Sequence, residues 1–331
     1  MAHGSPRRSL APGIQARQSE SLPPRGALRQ PQLDDFRLPQ LRYSVGRYPR
    51  QVLIVSIGDL LLDIAIVAAG PLVADDDSAA EITLGGGGQA ANFCAWSAAL
   101  GESSRLVTRV GDDDRGHKLV ADLESQGVEV RAVWAAEPTG AIAVIIEPGG
   151  RRTMATQRGA SVGLSPEDLD AAWFRDARLL HVPAYSLFVE PLAAATRAAI
   201  RVVRESDGML AVDLSSAAGL RAYGPSRMAY VLARLKPELL FATQAEADTL
   251  AVPLESLAQV PVLKLGPAGS SVFGRTIPAP PVEAIDPTGA GDAFAAAFCV
   301  AWLHGATPIE SAERAVQAAS QSVQLAGARP S

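Results

Sequence analysis

The chain has 331 residues, 48% of them hydrophobic and 20% charged, which suits one large α/β domain or two modest ones with a sizeable core. Its net charge is −5, and because residues 1–50 carry nine arginines, no lysine and three acids, residues 51–331 carry −11. An acidic body argues against a nucleic-acid surface on the domain, and no apolar run approaches the ~18 residues that span a bilayer or forms a signal-peptide core. The only two cysteines, Cys94 and Cys299, lie in Ala-rich apolar runs, so core packing in a reducing cytoplasm is expected rather than a disulfide framework or a metal site.

In chain order, residues 1–50 add seven prolines to their arginine excess and show little periodicity, which predicts a disordered extension. From residue 52 onward, short apolar runs alternate with longer amphipathic ones, the pattern of a parallel sheet covered by helices. Strands are predicted at 52–57, 106–110, 179–182, 209–214, 239–242 and 262–265. Helices are predicted at 91–100, 117–126, 165–173, 191–205 and 219–234, with a final pair within 289–325. Ser165-Pro166-Glu167-Asp168 has the form of a helix start, with Ser165 as N-cap and acids in the first turn. Four segments, 64–67, 81–84, 141–147 and 153–156, read as strands with no helix between them, separated by turns such as Pro148-Gly149-Gly150. They predict a second, small sheet drawn from about 60–88 and 138–158.

The segment most specific for chemistry is Ile285-Asp286-Pro287-Thr288-Gly289-Ala290-Gly291-Asp292-Ala293-Phe294. Pro287 stiffens the entry, and Gly289 and Gly291 admit a ligand close to the backbone. The apolar run 293–303 then reads as a buried helix, whose first amides are unpaired and carry partial positive charge. Gly289, Ala290 and Gly291 can therefore hold an anion, with Asp292 beside it. A carboxylate next to an anion hole suits a base that takes the proton of an attacking hydroxyl, so the segment reads as a phosphoryl-transfer site; the alternative is a simple helix cap. It is not a Walker A loop, since no Gly-Lys-Ser/Thr follows. His117, His181 and His304 have neither metal-ligand spacing nor a Ser or Cys partner, so hydrolase chemistry has no support.

This segment resembles the C-terminal signature of the ribokinase-like (PfkB) carbohydrate kinases. Gly87-Gly88-Gln89-Ala90-Ala91-Asn92, before an Ala-rich helix ending at Leu100-Gly101, resembles their N-terminal signature. The resemblance covers nearly all of residues 51–331. It implies a three-layer α/β/α fold with a mainly parallel central sheet and a β-sheet lid over the sugar, Asp292 as catalytic base and the Gly289, Ala290 and Gly291 amides as anion hole. It also implies ATP and magnesium as cofactors and a small sugar or nucleoside as substrate. A homodimer through the lid is a further implication, with no nucleic-acid or membrane partner.

On the substrate side, Asp63 is expected to accept from paired hydroxyls, unless it is a strand-end acid in water. Gly87 and Gly88 would bring backbone amides to the sugar, with Gly85 and Gly86 adding hinge freedom, and Asn92 would bond another hydroxyl. Arg152 reads as either a substrate contact from the lid or a solvated turn charge. Gly111-Asp112-Asp113 with Gly116 reads as a cap before a function. Asp213, at a strand end and followed by Ser215 and Ser216, would bond magnesium-bound water. Glu246 stands at the carboxylate of the family's Asn-x-x-Glu motif, yet Thr243 occupies the Asn position, so the magnesium network should differ. Thr288, Gly266 and Gly269 are expected near the nucleotide, and Ser320, Gln317 and residues 326–328 near its base. Lys264 faces either phosphate or the sheet edge.

Ribose, fructose and 2-keto-3-deoxygluconate are the leading acceptors. A nucleoside such as pseudouridine or adenosine is the alternative and needs an aromatic surface, for which Phe93, Trp96, Tyr185 and Phe188 are candidates. A ligand-binding protein that kept the fold and lost turnover is the alternative of another class, and Thr243 is the feature that favours it.

Overall fold

The computed structural model describes Met1 and residues 52–148, 152–325 and 327–330, the side chain of Arg152 excepted. The chain divides into the units Met1–Val45 and Gly46–Ser331, and every element below belongs to the second. The extension expected over 1–50 lies, but for Met1, outside the described residues.

The core is laid down by β1 (Leu53–Ile57), which runs parallel to β4 (Ser103–Gly111) on one side and β8 (Leu179–Pro183) on the other. A strand paired on both edges and covered on both faces should be continuously apolar, and Leu-Ile-Val-Ser-Ile is nearly so. β5 (Val128–Ala135) extends the sheet beyond β4, while β9 (Met209–Asp213), β10 (Leu239–Thr243) and β11 (Val260–Lys264) extend it beyond β8, all in parallel. The short strands β12 (Ser270–Val272) and β13 (Arg275–Ile277) close that edge antiparallel, making nine strands in all.

Alternation along β1 sends Ile54 into one core layer and Val55 and Ile57 into the other. The first layer is built with α1 (Gln89–Ala99), α2 (Asp114–Ser125), α8 (Ala290–Leu303) and α9 (Pro308–Ser322). The second is built with α4 (Leu192–Glu205), α5 (Ala217–Tyr223), α6 (Pro225–Leu235) and α7 (Gln244–Leu250). α3 (Tyr185–Phe188) is a single turn after β8. The first layer is anchored by Phe241 of β10 against Phe298 of α8, ring centroids 5.4 Å apart at 81°, an edge-to-face pair whose truncation to Ala would cost about 3–5 kcal/mol. Cys94 and Cys299 are buried and free, in the first layer as expected.

Two predicted helices are corrected. Residues 165–173 form two 3₁₀ turns, Pro166–Asp168 and Ala171–Trp173, with Leu169 extended between them. The Asp168 carboxylate does bond back to the Ser165 amide at 2.8 Å, but Asp170 starts a cap of its own by accepting from the Ala172 amide, which ends the first turn. Residues 219–234 are divided between α5 and α6 because Gly224 takes φ 103° and Pro225 restarts the helix. β5, β12, β13 and α7 were not anticipated: β5 carries charges as an edge strand does, and β12 and β13 have three residues each.

The small sheet is present as expected, in the order β3-β2-β6-β7: β2 (Leu61–Ala68), β3 (Ala80–Gly87), β6 (Thr139–Ile146) and β7 (Arg152–Gly159). Its register places Ile64, Ile66, Ile82, Leu84 and Ile145 on one face and Asp63 on the other.

Candidate active site

The main sheet grows outward from β1 in both directions, so its strand order reverses between β1 and β8, and the crevice beyond the carboxyl ends there is where open α/β sheets bind ligands. The strands deliver Asp59 after β1, Asp213 at the end of β9, Thr243 at the end of β10 and Lys264 at the end of β11.

Gly289 is the N-cap of α8, with φ 76°, and a Cβ there would lie 2.3 Å from the Ala328 carbonyl oxygen, so no other residue fits. The loop before it is tied by Asp286, which accepts from the Thr288 amide at 2.9 Å and the Gly327 amide at 3.1 Å. Asp292 sits in the first turn of α8 and is half-buried. Its Oδ2 accepts from Asn92 Nδ2 at 2.9 Å. Burial pushes its pKa up to about 7, with Asp213 adding to the rise and the bond from Asn92 and the charge of Lys264 opposing it. A carboxylate half-ionised at neutral pH in the first turn of a helix has the basicity that proton abstraction needs; of the neighbouring amides, that of Ala290 donates to the Pro287 carbonyl at 3.4 Å.

A cavity of about 370 Å³ opens beside this turn, lined by Lys264, Gly266, Gly269, Ala290, Gly291 and Ser320 together with apolar residues of α8 and α9. Lys264, Gly266, Gly269 and Ser320, read from sequence as nucleotide contacts, thus share one hollow with Ala290 and Gly291, though not with Gly289. Thr288 does not line it, its amide being used within the loop, and Gln317 is exposed. The Lys264 ammonium lies 3.4 Å from the point where a Cβ on Gly291 would be. Burial disfavours its charge, but Asp213, Glu246 and Asp292 outweigh this and raise its pKa.

Asp213 is wholly buried, its Oδ2 receiving Lys264 Nζ at 2.6 Å and its Oδ1 the Ser215 amide at 3.1 Å. Ser216 caps α5 through the Gly219 amide, and Tyr185 also bonds to it, so neither serine is free for ligand water alone. Thr243 and Glu246 form a capping box on α7: Glu246 Oε2 accepts from the Thr243 amide at 2.7 Å and the Thr243 hydroxyl from the Glu246 amide at 3.4 Å. Burial, then Asp213, raises the Glu246 pKa.

The small sheet contributes Asp63, whose Oδ1 is buried with no hydrogen-bond partner and whose pKa is raised by burial and by Asp286. A buried acceptor without a donor is what a substrate hydroxyl would satisfy. Gly87 and Gly88 lead from β3 into α1, but the Gly87 carbonyl accepts from Arg329 at 2.9 Å, and Gly88 is the N-cap of α1. Asn92 spends its amide on Asp292 and its Oδ1 on Arg329 at 3.0 Å. Arg152 opens β7 opposite Ile146, four residues along that strand from Thr156, which is level with Asp63 through Ile142; its side chain lies outside the described residues. Asp113 caps α2 through the Gly116 amide at 2.8 Å, a structural role.

The sequence matches the profile described as pfkB family carbohydrate kinase across residues 51–331. The chain belongs to this family. It is 31% identical over 230 residues to an ATP-dependent ribose-1-phosphate kinase of Halopiger xanaduensis, covering 66% of this chain and 73% of that one. It is 28% identical over 256 residues to a fructokinase of Solanum tuberosum, covering 74% and 79%. Among solved structures, adenosine kinase from Sinorhizobium meliloti superposes with a TM-score of 0.77 at 24% identity, covering 85% of this chain and 96% of that one.

Within this carbohydrate kinase, three residues near the site have no role assigned by the sequence reading. Arg329 stands alone in Gly327-Ala328-Arg329-Pro330, without periodic context. Gln89 falls inside the N-terminal motif, and its side chain bonds to Asp292. Arg158, on β7 of the small sheet, makes a two-point contact with Asp59, Nε to Oδ2 at 2.9 Å and Nη2 to Oδ1 at 2.7 Å. Phe93 and Trp96 are buried, Phe93 stacked on His181 at 3.8 Å and Trp96 bonded to the Ala328 carbonyl, so neither can face a nucleobase. Tyr185 and Phe188 are partly open, 5.9 Å apart edge to face.

Proposed function

We propose that this sugar kinase transfers the γ-phosphoryl group of ATP to a primary hydroxyl of a ribose-, fructose- or 2-keto-3-deoxygluconate-type acceptor. The observation that carries the reading is Asp292, raised to a pKa of about 7 and held by Asn92 at 2.9 Å in the first turn of α8. The acceptor lies between Asp63 and Asp292, so that the Asp292 carboxylate takes the hydroxyl proton as the oxygen attacks phosphorus. The amides of Gly289, Ala290 and Gly291 receive the equatorial oxygens, and the Lys264 ammonium lies beside them. ADP leaves in the cavity lined by Gly266, Gly269 and Ser320.

Asp213, Glu246 and Asp292 outnumber the cations beside them, Lys264 and Arg329, and this excess of carboxylates suits a metal cation. Asp213 and Glu246 would hold magnesium through its waters, since each has an oxygen committed elsewhere and no group of three or more ligating side chains occurs among the described residues. When bound, magnesium neutralises phosphate charge. The apolar lid face, with Ile82 61% and Leu84 69% exposed, supports pairing of two lids in a homodimer.

The test is ADP release over a panel of sugars, sugar phosphates and nucleosides, with Asp292→Asn run beside the wild type. Release with a sugar acceptor, abolished in the variant, supports the reading. A preference for nucleosides transfers the acceptor role to the alternative class, with Tyr185 and Phe188 as the surface for the base. No release above the enzyme-free rate, with ATP still bound, supports the non-catalytic alternative.

A further inference from the structure

Asn92 stands between two charged groups, and the chemistry of one of them dictates its orientation. A guanidinium can only donate, so the Asn92 atom that meets Arg329 Nε at 3.0 Å is the carbonyl Oδ1. The amide Nδ2 is thereby turned toward Asp292 Oδ2, at 2.9 Å. The second arm, Arg329 Nη2, donates to the Gly87 carbonyl at 2.9 Å, where β3 passes into α1.

The segment that brings Arg329 touches the site at three further points. The Gly327 amide donates to Asp286 at 3.1 Å, the Ala328 backbone fills the space above Gly289, and Trp96 Nε1 donates to the Ala328 carbonyl at 3.1 Å. It therefore joins the anion-hole loop, α1 and the base of the lid.

We propose that Arg329 is a positioning residue for phosphoryl transfer, fixing the Asp292 carboxylate through Asn92 while its segment holds the anion-hole loop, α1 and the lid base together. The proposal rests on Asp292 being the base. The carboxamide of Asn92 has two orientations of nearly equal shape, related by a half turn. Only one offers Asp292 a donor; the other sets an oxygen against a carboxylate. Arg329 selects the first. Room is kept for it, since a Cβ on Gly86 would lie 2.2 Å from Nη1. Gly86 thus serves as clearance for the guanidinium of Arg329, a residue only 9% exposed, rather than as the extra hinge freedom read from sequence. The charged groups facing Asp292 are Asp213 from β9, Lys264 from β11 and Arg329 from the C-terminal segment, with Gln89 and Asn92 bonding to it from α1. The charge of Arg329 and the amide it orients both favour the ionised base.

Arg329→Met removes charge and donors at similar length, Arg329→Gln removes the charge but keeps a donor, and Arg329→Lys keeps the charge. Two measurements are made on each: the acid limb of kcat against pH, and the titration of the Asp292 carboxyl by carbon-13 NMR, its signal identified with Asp292→Asn. Arg329→Met is expected to raise both by about 0.5–1 pH unit and to lower kcat at pH 7 about tenfold, with Arg329→Lys recovering most of the loss. If the methionine variant does not fold, Arg329→Gln gives the same comparison. An unmoved acid limb and an unmoved carboxyl titration in a folded variant lacking the charge overturn the proposal, even where kcat falls. A wild type that transfers no phosphoryl group defeats the assignment of the base instead, and the carboxyl titration still decides whether Arg329 governs Asp292.

Discussion

Lys264 Nζ donates to Asp213 Oδ2 at 2.6 Å, with the aspartate side chain wholly buried and that of the lysine 12% exposed. The two residues end strands β11 and β9, on either side of β10, and pair across its carboxyl end. A buried pair adds little net stability compared with an apolar pair, but removing one partner strands the other charge. Lys264→Met is therefore expected to destabilise the domain by about 3–5 kcal/mol, whereas Lys264→Met combined with Asp213→Leu recovers most of that. Urea unfolding of the single and double variants checks this. Equal stability of the two would mean that packing, not the ion pair, governs the site.

Asp292→Asn should lower turnover by about 10²–10⁴ while ATP affinity stays within about threefold, as measured by steady-state kinetics and calorimetry. Turnover within about twofold of wild type would remove Asp292 from the base role.

The raised pKa of Asp292, about 7 against 3.8 for an ordinary aspartate, also sets two pH dependences. Turnover needs the ionised form, so kcat should fall as pH drops through 7. Stability runs the other way: between pH 3.8 and 7 the native carboxyl holds a proton that the unfolded one has lost, so stability falls as pH rises through this window. Asp292→Asn abolishes that contribution. Its melting temperature relative to wild type should accordingly climb from pH 4 to pH 8, and a difference independent of pH would refute the buried-carboxylate account.

Thr243 and Glu246 cap α7 reciprocally, so both can be changed with the cap retained. Asn is as good an N-cap as Thr, and Gln serves in a capping box as Glu does. Thr243→Asn is expected to fold normally and to lower the magnesium concentration for half-maximal rate, because a carboxamide reaches further and offers more donors to the water network. Glu246→Gln should raise that concentration several-fold by removing charge. Magnesium dependence unchanged in both would move the metal role to Asp213 and other carboxylates.

Much of this was legible in the chain because the signals are local. Apolar runs such as 52–57 and 239–242 mark buried strands through their composition, and the unbroken strand pattern around 60–88 and 138–158 marks the small sheet. The run from Ile285 to Phe294 contains its turn, its glycines and its carboxylate in consecutive residues, so the segment is visible without tertiary information. The break at Gly224-Pro225 is equally local, a glycine followed by a proline; the extended Leu169 has no such mark, since a well-formed start at Ser165 does not show how far the helix continues.

Tertiary structure alone decided which distant groups meet. Asn92 reaches Asp292 across 200 positions and Arg329 across 237, and Lys264 finds Asp213 at a separation of 51. Periodicity reports which face of an element is buried, never what that face meets, because the partner is chosen by the packing of whole layers. That is why Asn92 looked free to hold a sugar, Phe93 and Trp96 looked available to a nucleobase, and Arg329 had no visible role. The sequence by itself determined most of the elements and the Gly289–Asp292 turn; the packing of α1, α8 and the C-terminal segment decided what holds the Asp292 carboxylate and shifts its pKa.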